Sequence, residues 1–240
     1  MTELLYQMDS YLREFDATVR AVRDEGVVLD RTAFYPGGGG QPADTGMLTD
    51  AEGNTYRVVG VKRLDGQIVH LLEGDARPAL GAPVHGVLDW ERRYLLMRTH
   101  TAMHILCGVV WRDYGAQVTG GNMEPGRGRM DFEFEHLHKD LVQEIEEKIN
   151  AEVAAAREVR VAILPREEAF QIPDLIRTKI NLLPPHIQEV RVVEIVGLDL
   201  QADGGTHVAN TREVGAIKIV GYKSKGRINK RLMIALEEGL

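Results

Sequence analysis

The chain changes texture once, near Asp89. Residues 1–88 are built from short apolar–polar alternations, "DATVRAVRDEGVVLDRT", "TYRVVGVKRLDGQIVHLLEG" and "PVHGVLD", cut by Asp-Glu-Gly and Asp-Gly. Strands this short, spaced by turns, predict a small β-barrel. Then comes "WERRYLLMRTHTAMHILCGVVWRDYG", with no Gly or Pro before Gly108. That run predicts a long helix, with Asp89 as its N-cap and Gly115 as its end. Downstream, "AQVTGGNMEPGRGRMDFEFE" reads as a hairpin, and "HLHKDLVQEIEEKINAEVAAARE" places Leu137, Leu141, Ile145, Ile149 and Val153 at i+4 steps on one helix face. "VRVAILP", "EVRVVEIVGLDLQ" and "GAIKIVGYKSK" predict strands, and "REEAFQIPDLI" a short helical piece. The fold class expected is α+β: a small β-barrel over residues 1–88, then an α+β domain over 89–240 with helices packed on a mostly antiparallel sheet.

Composition narrows the functional classes. At 240 residues, 44% hydrophobic and 27% charged, the chain can bury one large core or two modest ones, which excludes a disordered protein. No apolar run is long enough to span a membrane, and the N-terminal "MTELLYQMDSYLREFD" lacks a signal-peptide core, so a cytoplasmic protein is expected. One cysteine, Cys107, excludes an intramolecular disulfide and reads as a buried, inert thiol. A net charge of −7 excludes coating nucleic acid by global attraction. Residues 216–236 nevertheless carry Lys218, Lys223, Lys225, Arg227, Lys230 and Arg231 without one acid, a local strip that favours an RNA partner.

"AFYPGGGGQPADTG" sets Gly37, Gly38, Gly39 and Gly40 before Gln41. Such a run suits left-handed dihedrals or close backbone approach. It lacks both the Gly-Lys-Ser/Thr ending of a P-loop and the G-x-G-x-x-G spacing, so nucleotide triphosphate binding is set aside and ATP-independent chemistry is expected. On the long helix, His100 and His104 share a face. About 0.2 such pairs arise by chance among the chain's 8 histidines, so the pair alone establishes no metal site. "LQADGGTHV" adds His207 after a Gly204-Gly205 turn, with Asp203 four residues earlier. Three imidazoles and an oxygen donor suit zinc. No Glu lies in the metalloprotease position between the helix histidines.

Taken in order, "FYPGGGGQPADTG", "RTHTAMHIL", "GGTHV" and "NTREVGAIKI" make the chain resemble the editing domain of alanyl-tRNA synthetases and the AlaX family of alanyl-tRNA editing proteins, in the longer type with an N-terminal barrel. The resemblance implies one Zn2+ per chain on His100, His104 and His207, with Asp203 standing where the family commonly has Cys. It implies hydrolysis of the ester that joins serine or glycine to tRNA(Ala), an aminoacyl-tRNA deacylase. Gly37, Gly38, Gly39, Gly40 and Gln41 would then approach the terminal adenosine or aminoacyl group, and Lys223, Lys225 and Arg227 the phosphates. Thr119, in "VTGGN", offers either a hydroxyl near the site or turn chemistry. Two alternatives stay open on the residues alone: a metal-dependent hydrolase of a small ester or amide, and a non-catalytic RNA-binding module with a structural metal. His136 and His138 stand two apart at a helix start, and His70, His85 and His186 read as surface or strand residues.

Overall fold

The computed structural model describes residues 2–134, 136–173, 175–176 and 187–237. The chain divides into two compact units, Met1–Leu95 and Leu96–Leu240. In the first lie β1 (Glu3–Leu4), β2 (Glu14–Arg23), β3 (Gly26–Leu29), β4 (Arg31–Thr32), β5 (Gly46–Asp50), β6 (Thr55–Leu64), β7 (Gln67–Leu72) and β8 (Pro83–Leu88). Six of these close an antiparallel barrel in the order β2-β3-β7-β6-β5-β8, and β1 and β4 form a short parallel pair. Two predicted segments are hairpins, β2–β3 and β6–β7. Along β2 the alternation sends Phe15, Ala17 and Val19 inward, to meet Leu29, Phe34, Leu48, Val58 and Leu88 in the barrel core. Register shifts at Val19/Ala21 and Val58/Gly60 bend those strands, as barrel closure requires.

His70 lies on β7, as expected of a strand residue, and is wholly buried. Its Nδ1 is 3.2 Å from the Val27 carbonyl oxygen and its Nε2 2.8 Å from Thr32 Oγ1, which also accepts from Phe34 N at 3.1 Å. A carbonyl can only accept, so Nδ1 carries the proton and Nε2 accepts from the hydroxyl. Burial pushes His70 down from 6.5 to about 4, against the pull of the Val27 carbonyl. His85 sits on β8, 2.8 Å from Asp16; His186 lies outside the described residues.

The division falls inside α1 (Trp90–Tyr114), because its first turn packs with the first unit: Trp90 and Tyr94 stack and tilt against Tyr11. Asp89 Oδ1 caps the helix by accepting from Arg92 N at 3.2 Å, and Gly115, at φ 63°, ends it. Then follow β9 (Val118–Glu124), β10 (Arg127–Glu133), α2 (Lys139–Ala154), β11 (Val159–Pro165), α3 (Arg166–Ala169), β12 (Glu189–Ile195), β13 (Asp199–Ala202), β14 (Ile217–Ser224) and β15 (Asn229–Leu236). The strands form two antiparallel sheets, β14-β15-β10-β9 and β11-β12-β13. The segment read as one strand, "EVRVVEIVGLDLQ", is folded back on itself at Gly197, where φ is 75°, giving β12 and β13. The C-terminal "NKRLMIAL" is a further strand that the reading did not single out.

Every residue of α1 from 99 to 110 is buried, so the helix has no polar stripe and its Thr and His side chains must find partners inside the protein. One side of α1 lies on the β9–β10 hairpin: Thr99 Oγ1 accepts from Gly126 N at 2.9 Å, and Met103 occupies the space above Gly128, where a Cβ would lie 2.8 Å from its sulfur. α2 buries Val142, Ile145, Ile149 and Val153 and is fixed to β14 through Asn150, which exchanges hydrogen bonds with the Ile217 backbone. Its N-cap is His138, whose Nδ1 accepts from Leu141 N.

Candidate metal centre

One turn separates His100 from His104 on α1, and their ring centroids are 5.0 Å apart. The second half of the cluster comes from the loop after β13. Asp203 Oδ2 accepts from Gly205 N at 2.8 Å, a side-chain-closed turn that carries the chain round to His207. Arg191, buried on β12, clasps this loop by donating from Nη1 to the Asp203 and Gly205 carbonyl oxygens at 3.0 and 2.8 Å. The His207 ring then stacks on His100, with centroids 4.2 Å apart, and lies 4.6 Å from His104. Asp203 spans two histidines, with Oδ2 3.0 Å from His207 Nε2 and Oδ1 3.6 Å from His100 Nε2.

His100, His104, Asp203 and His207 offer ligand atoms that all lie within 4.8 Å of one another, a group that can hold a metal ion. Ligands about 2.0 to 2.2 Å from a tetrahedral ion are roughly 3.3 to 3.6 Å apart, so small rotations of these side chains would bring the donors into place. The donor set is three nitrogens and one carboxylate. Burial pushes His100 well below its ordinary value, against the attraction of Asp203, and pushes His207 down to about 4. Both are neutral at pH 7, the state in which imidazole ligates. For His104, burial lowers the value but the hydrogen bond and charge of Asp199 outweigh it and leave it raised. Burial pushes Asp203 up, yet attraction to His100 and the His207 hydrogen bond hold it well below the usual carboxylate range. The centre therefore keeps one negative charge among imidazoles, as a cation requires.

Two further residues touch the cluster and were missed by the sequence reading. Thr101 Oγ1 is 3.1 Å from His207 Nδ1 and accepts from Val208 N at 3.2 Å, and Asp199 Oδ2 is 3.1 Å from His104 Nδ1. Asp199 had one legible signal, the alternation Asp199, Gln201, Asp203 along one strand face. Cys107 is buried, as read, with Gln201 Nε2 3.3 Å from its sulfur.

The other candidates are not part of this cluster. Thr119 is exposed on β9, and its hydroxyl donates to Asn229 Oδ1 at 3.0 Å. Gly38 and Gln41 exchange both backbone hydrogen bonds, at 3.0 and 2.9 Å, closing a two-residue turn over Gly39 and Gly40, where φ is 57° and 89°. Positive φ at both central residues is the type I′ hairpin turn, and Gly37 and Gly38 continue the run at 76° and 132°. Tyr35 and Asp44 pin its base: Asp44 N donates to Tyr35 O at 3.0 Å and Tyr35 N to Asp44 Oδ2 at 2.6 Å. Arg93, wholly buried on α1, pairs with Asp44 and donates to the Ala33 and Ser10 carbonyl oxygens. The side chain of Gln41 is buried, and Gly38 and Gly39 are exposed.

In the basic strip, Lys218 faces Glu146 at 3.5 Å, Arg231 holds Asp131 through two bonds of 2.7 and 2.8 Å, and Lys230 is buried against the Gly226 and Arg227 carbonyls. Lys223, Lys225 and Arg227 are exposed around the β14–β15 turn. Cross-strand register adds Arg127 and Arg129, opposite Ala235 and Met233, to the face that carries Arg231. They lie about a hundred residues before the strip, so composition windows do not join them.

Residues 6–92 match the family described as tRNA synthetases class II (A), and residues 190–233 match the threonyl and alanyl tRNA synthetase second additional domain. The alanyl-tRNA editing protein AlaX-M of Saccharolobus solfataricus is 42% identical over 233 residues, covering 97% of this chain and 98% of that protein. AlaX-M of Methanosarcina barkeri is 40% identical over 241 residues, covering 98% and 99%. The alanine–tRNA ligase of Ignicoccus hospitalis is 40% identical over 228 residues, 92% of this chain but 24% of that ligase. The barrel and the α+β unit with its buried histidines thus define a class of protein whose sequence also occurs as about a quarter of alanine–tRNA ligases. Within that class, the chain belongs to the AlaX-M family of alanyl-tRNA editing proteins.

Proposed function

We propose that the protein hydrolyses mischarged tRNA(Ala) in trans, releasing serine and, less readily, glycine, with one Zn2+ held by His100, His104, Asp203 and His207. The observation that carries this reading is the four-residue cluster, its ligand atoms within 4.8 Å, in a chain that aligns end to end with AlaX-M proteins. When bound, zinc supplies either a water acidified toward about 7 or an anchor for the amino acid's amine. In the reaction, a water oxygen bonds the ester carbonyl carbon, the bond to the ribose oxygen breaks, and that oxygen takes up a proton to leave a free tRNA 3′ end and an amino acid.

The chain's own residues supply positioning. Neutral His100 and His207 leave lone pairs for ligation, and Arg191 fixes the loop that aims Asp203 and His207. The exposed tip at Gly38 and Gly39 fits backbone contact to a terminal nucleotide, with Gln41, buried and bonded to Gly38 through its backbone, holding the turn closed; Lys223, Lys225 and Arg227 fit phosphates; and Thr119, whose hydroxyl is donated to Asn229, would exchange that bond to reach a substrate. Selectivity for serine follows if a polar group meets its hydroxyl, because alanine would leave that group buried and unpaired. Such a loss costs about 1 to 3 kcal/mol, or roughly fivefold to more than a hundredfold in rate.

The test is a set of time courses with seryl-, glycyl- and alanyl-tRNA(Ala) at subsaturating concentration, with metal content determined on the same sample. Serine should be released fastest and alanine slowest, with about one zinc per chain. Alanine released as fast as serine would overturn the editing assignment in favour of a nonspecific deacylase.

A further inference from the structure

Asp199 lies outside the four-residue ligand set, yet it is 4% exposed and aimed at that set. Its Oδ2 is 3.1 Å from His104 Nδ1 and also accepts from Gln201 Nε2 at 2.6 Å. Asp199, Gln201 and Asp203 occupy alternate positions, so the two-residue period of an extended chain turns all three side chains toward α1. The segment runs against the helix, so that Asp199 reaches His104 and Asp203 reaches His100, one turn nearer the helix start. Gly108, one turn beyond His104, makes the approach possible: a Cβ there would lie 2.9 Å from Leu198 Cγ and 3.0 Å from Asp199 Cβ. Helix and strand are thus brought together at the point where this carboxylate meets this imidazole.

We propose that Asp199, steadied by Gln201, is a positioning residue that holds His104 as its Nδ1–H tautomer and turns Nε2 toward His100, Asp203 and His207. A carboxylate offers lone pairs and no proton, so the ring nitrogen facing it must be the donor, and the opposite nitrogen keeps its lone pair. Partners of this kind fix the ring orientation of histidine ligands, and their loss typically weakens metal binding 10- to 100-fold. The proposal rests on the reading of the cluster as a metal site and assigns a role to a residue outside the ligand set.

Two measurements on the full chain test it. With 15N-labelled histidine, no metal and a pH high enough for His104 to be neutral, long-range 1H–15N correlation should show it as Nδ1–H in the wild type and in Asp199→Asn, whose amide oxygen still accepts. In Asp199→Ala the Nε2–H form should appear. Competition with a chromophoric chelator should show zinc bound about 10- to 100-fold more weakly by Asp199→Ala, with Asp199→Asn and Gln201→Ala in between. His104 found as Nε2–H in the wild type overturns the proposal, as does zinc affinity within twofold of wild type in both Asp199 variants. A wild type that takes up no zinc would instead sink the metal-site reading, and the tautomer measurement would still decide what Asp199 does. If Asp199→Ala fails to fold, the wild-type tautomer and the near-isosteric Asn variant carry the test.

Discussion

At the scale of single residues, the centre is a competition between burial and pairing. His100→Ala or His207→Ala deletes one of three imidazole donors, so each should remove most bound metal, as measured by elemental analysis after desalting. Asp203→Cys replaces a hard oxygen by a soft thiolate and should raise the preference for zinc over manganese in competition titrations. His70 gives the pH dependence. Its folded value, about 4, lies below the ordinary 6.5, so between those values the unfolded chain binds a proton that the folded chain refuses. Its contribution is therefore intact above 6.5 and is lost as pH falls toward 4, by about 3 kcal/mol in all. Urea denaturation from pH 7 to 4 should show that slope added to those of the buried His100 and His207, and His70→Gln should remove its own share while lowering stability at pH 7. The clustered histidines were legible because helix spacing and a motif expose them. Thr101 and the buried pair of Arg93 with Asp44 were not, since each has meaning only once a distant segment is brought alongside, and Asp199 showed only its place in an alternation, not its partner His104.

At the scale of elements, the glycine run shows what pattern can and cannot tell. Its turn chemistry was legible, and the dihedrals now say why all four positions are glycine: every one has φ between 57° and 132°. That also fixes the right mutation. Gly39→Val would strain a left-handed position by about 1 to 2 kcal/mol, mixing stability with function. Gly39→Asn tolerates such a φ and adds bulk only at the exposed tip, so slower deacylation at unchanged melting temperature would report contact with substrate. Arg93→Met should cost about 3 to 5 kcal/mol, because Asp44 would remain buried without its partner. The β14–β15 turn makes the complementary prediction: neutralising Lys223, Lys225 and Arg227 should weaken tRNA binding and flatten log K against log salt by roughly 0.7 to 0.9 per lost phosphate contact. The hidden strands have separate causes. "EVRVVEIVGLDLQ" carries one glycine at its fold-back, and the basic residues of β15 masked an alternation that burial of Leu232, Ile234 and Leu236 makes plain.

At the scale of the whole molecule, the α+β class was legible, since short alternations and long helical runs bury their apolar faces in different ways. The number of sheets was not, because strand partnership is a non-local property that no window contains. Among the described residues no helix is long and apolar enough to cross a membrane. A ligand that binds only the folded state stabilises all of it, so zinc at a hundred times its dissociation constant should add about 2.7 kcal/mol, lost again on chelation. The wide separation of the cluster has a consequence for biosynthesis. His100 and His104 are translated early, but Asp203 and His207 follow about a hundred residues later, and β14 and β15 later still. A ribosome working from the N-terminus can complete the barrel and much of α1 long before the centre has its second half. A nascent or truncated chain that stops before Asp203 would therefore carry only two of the four donors, and the group able to hold an ion is assembled in one step, when the loop of Asp203 and His207 is translated.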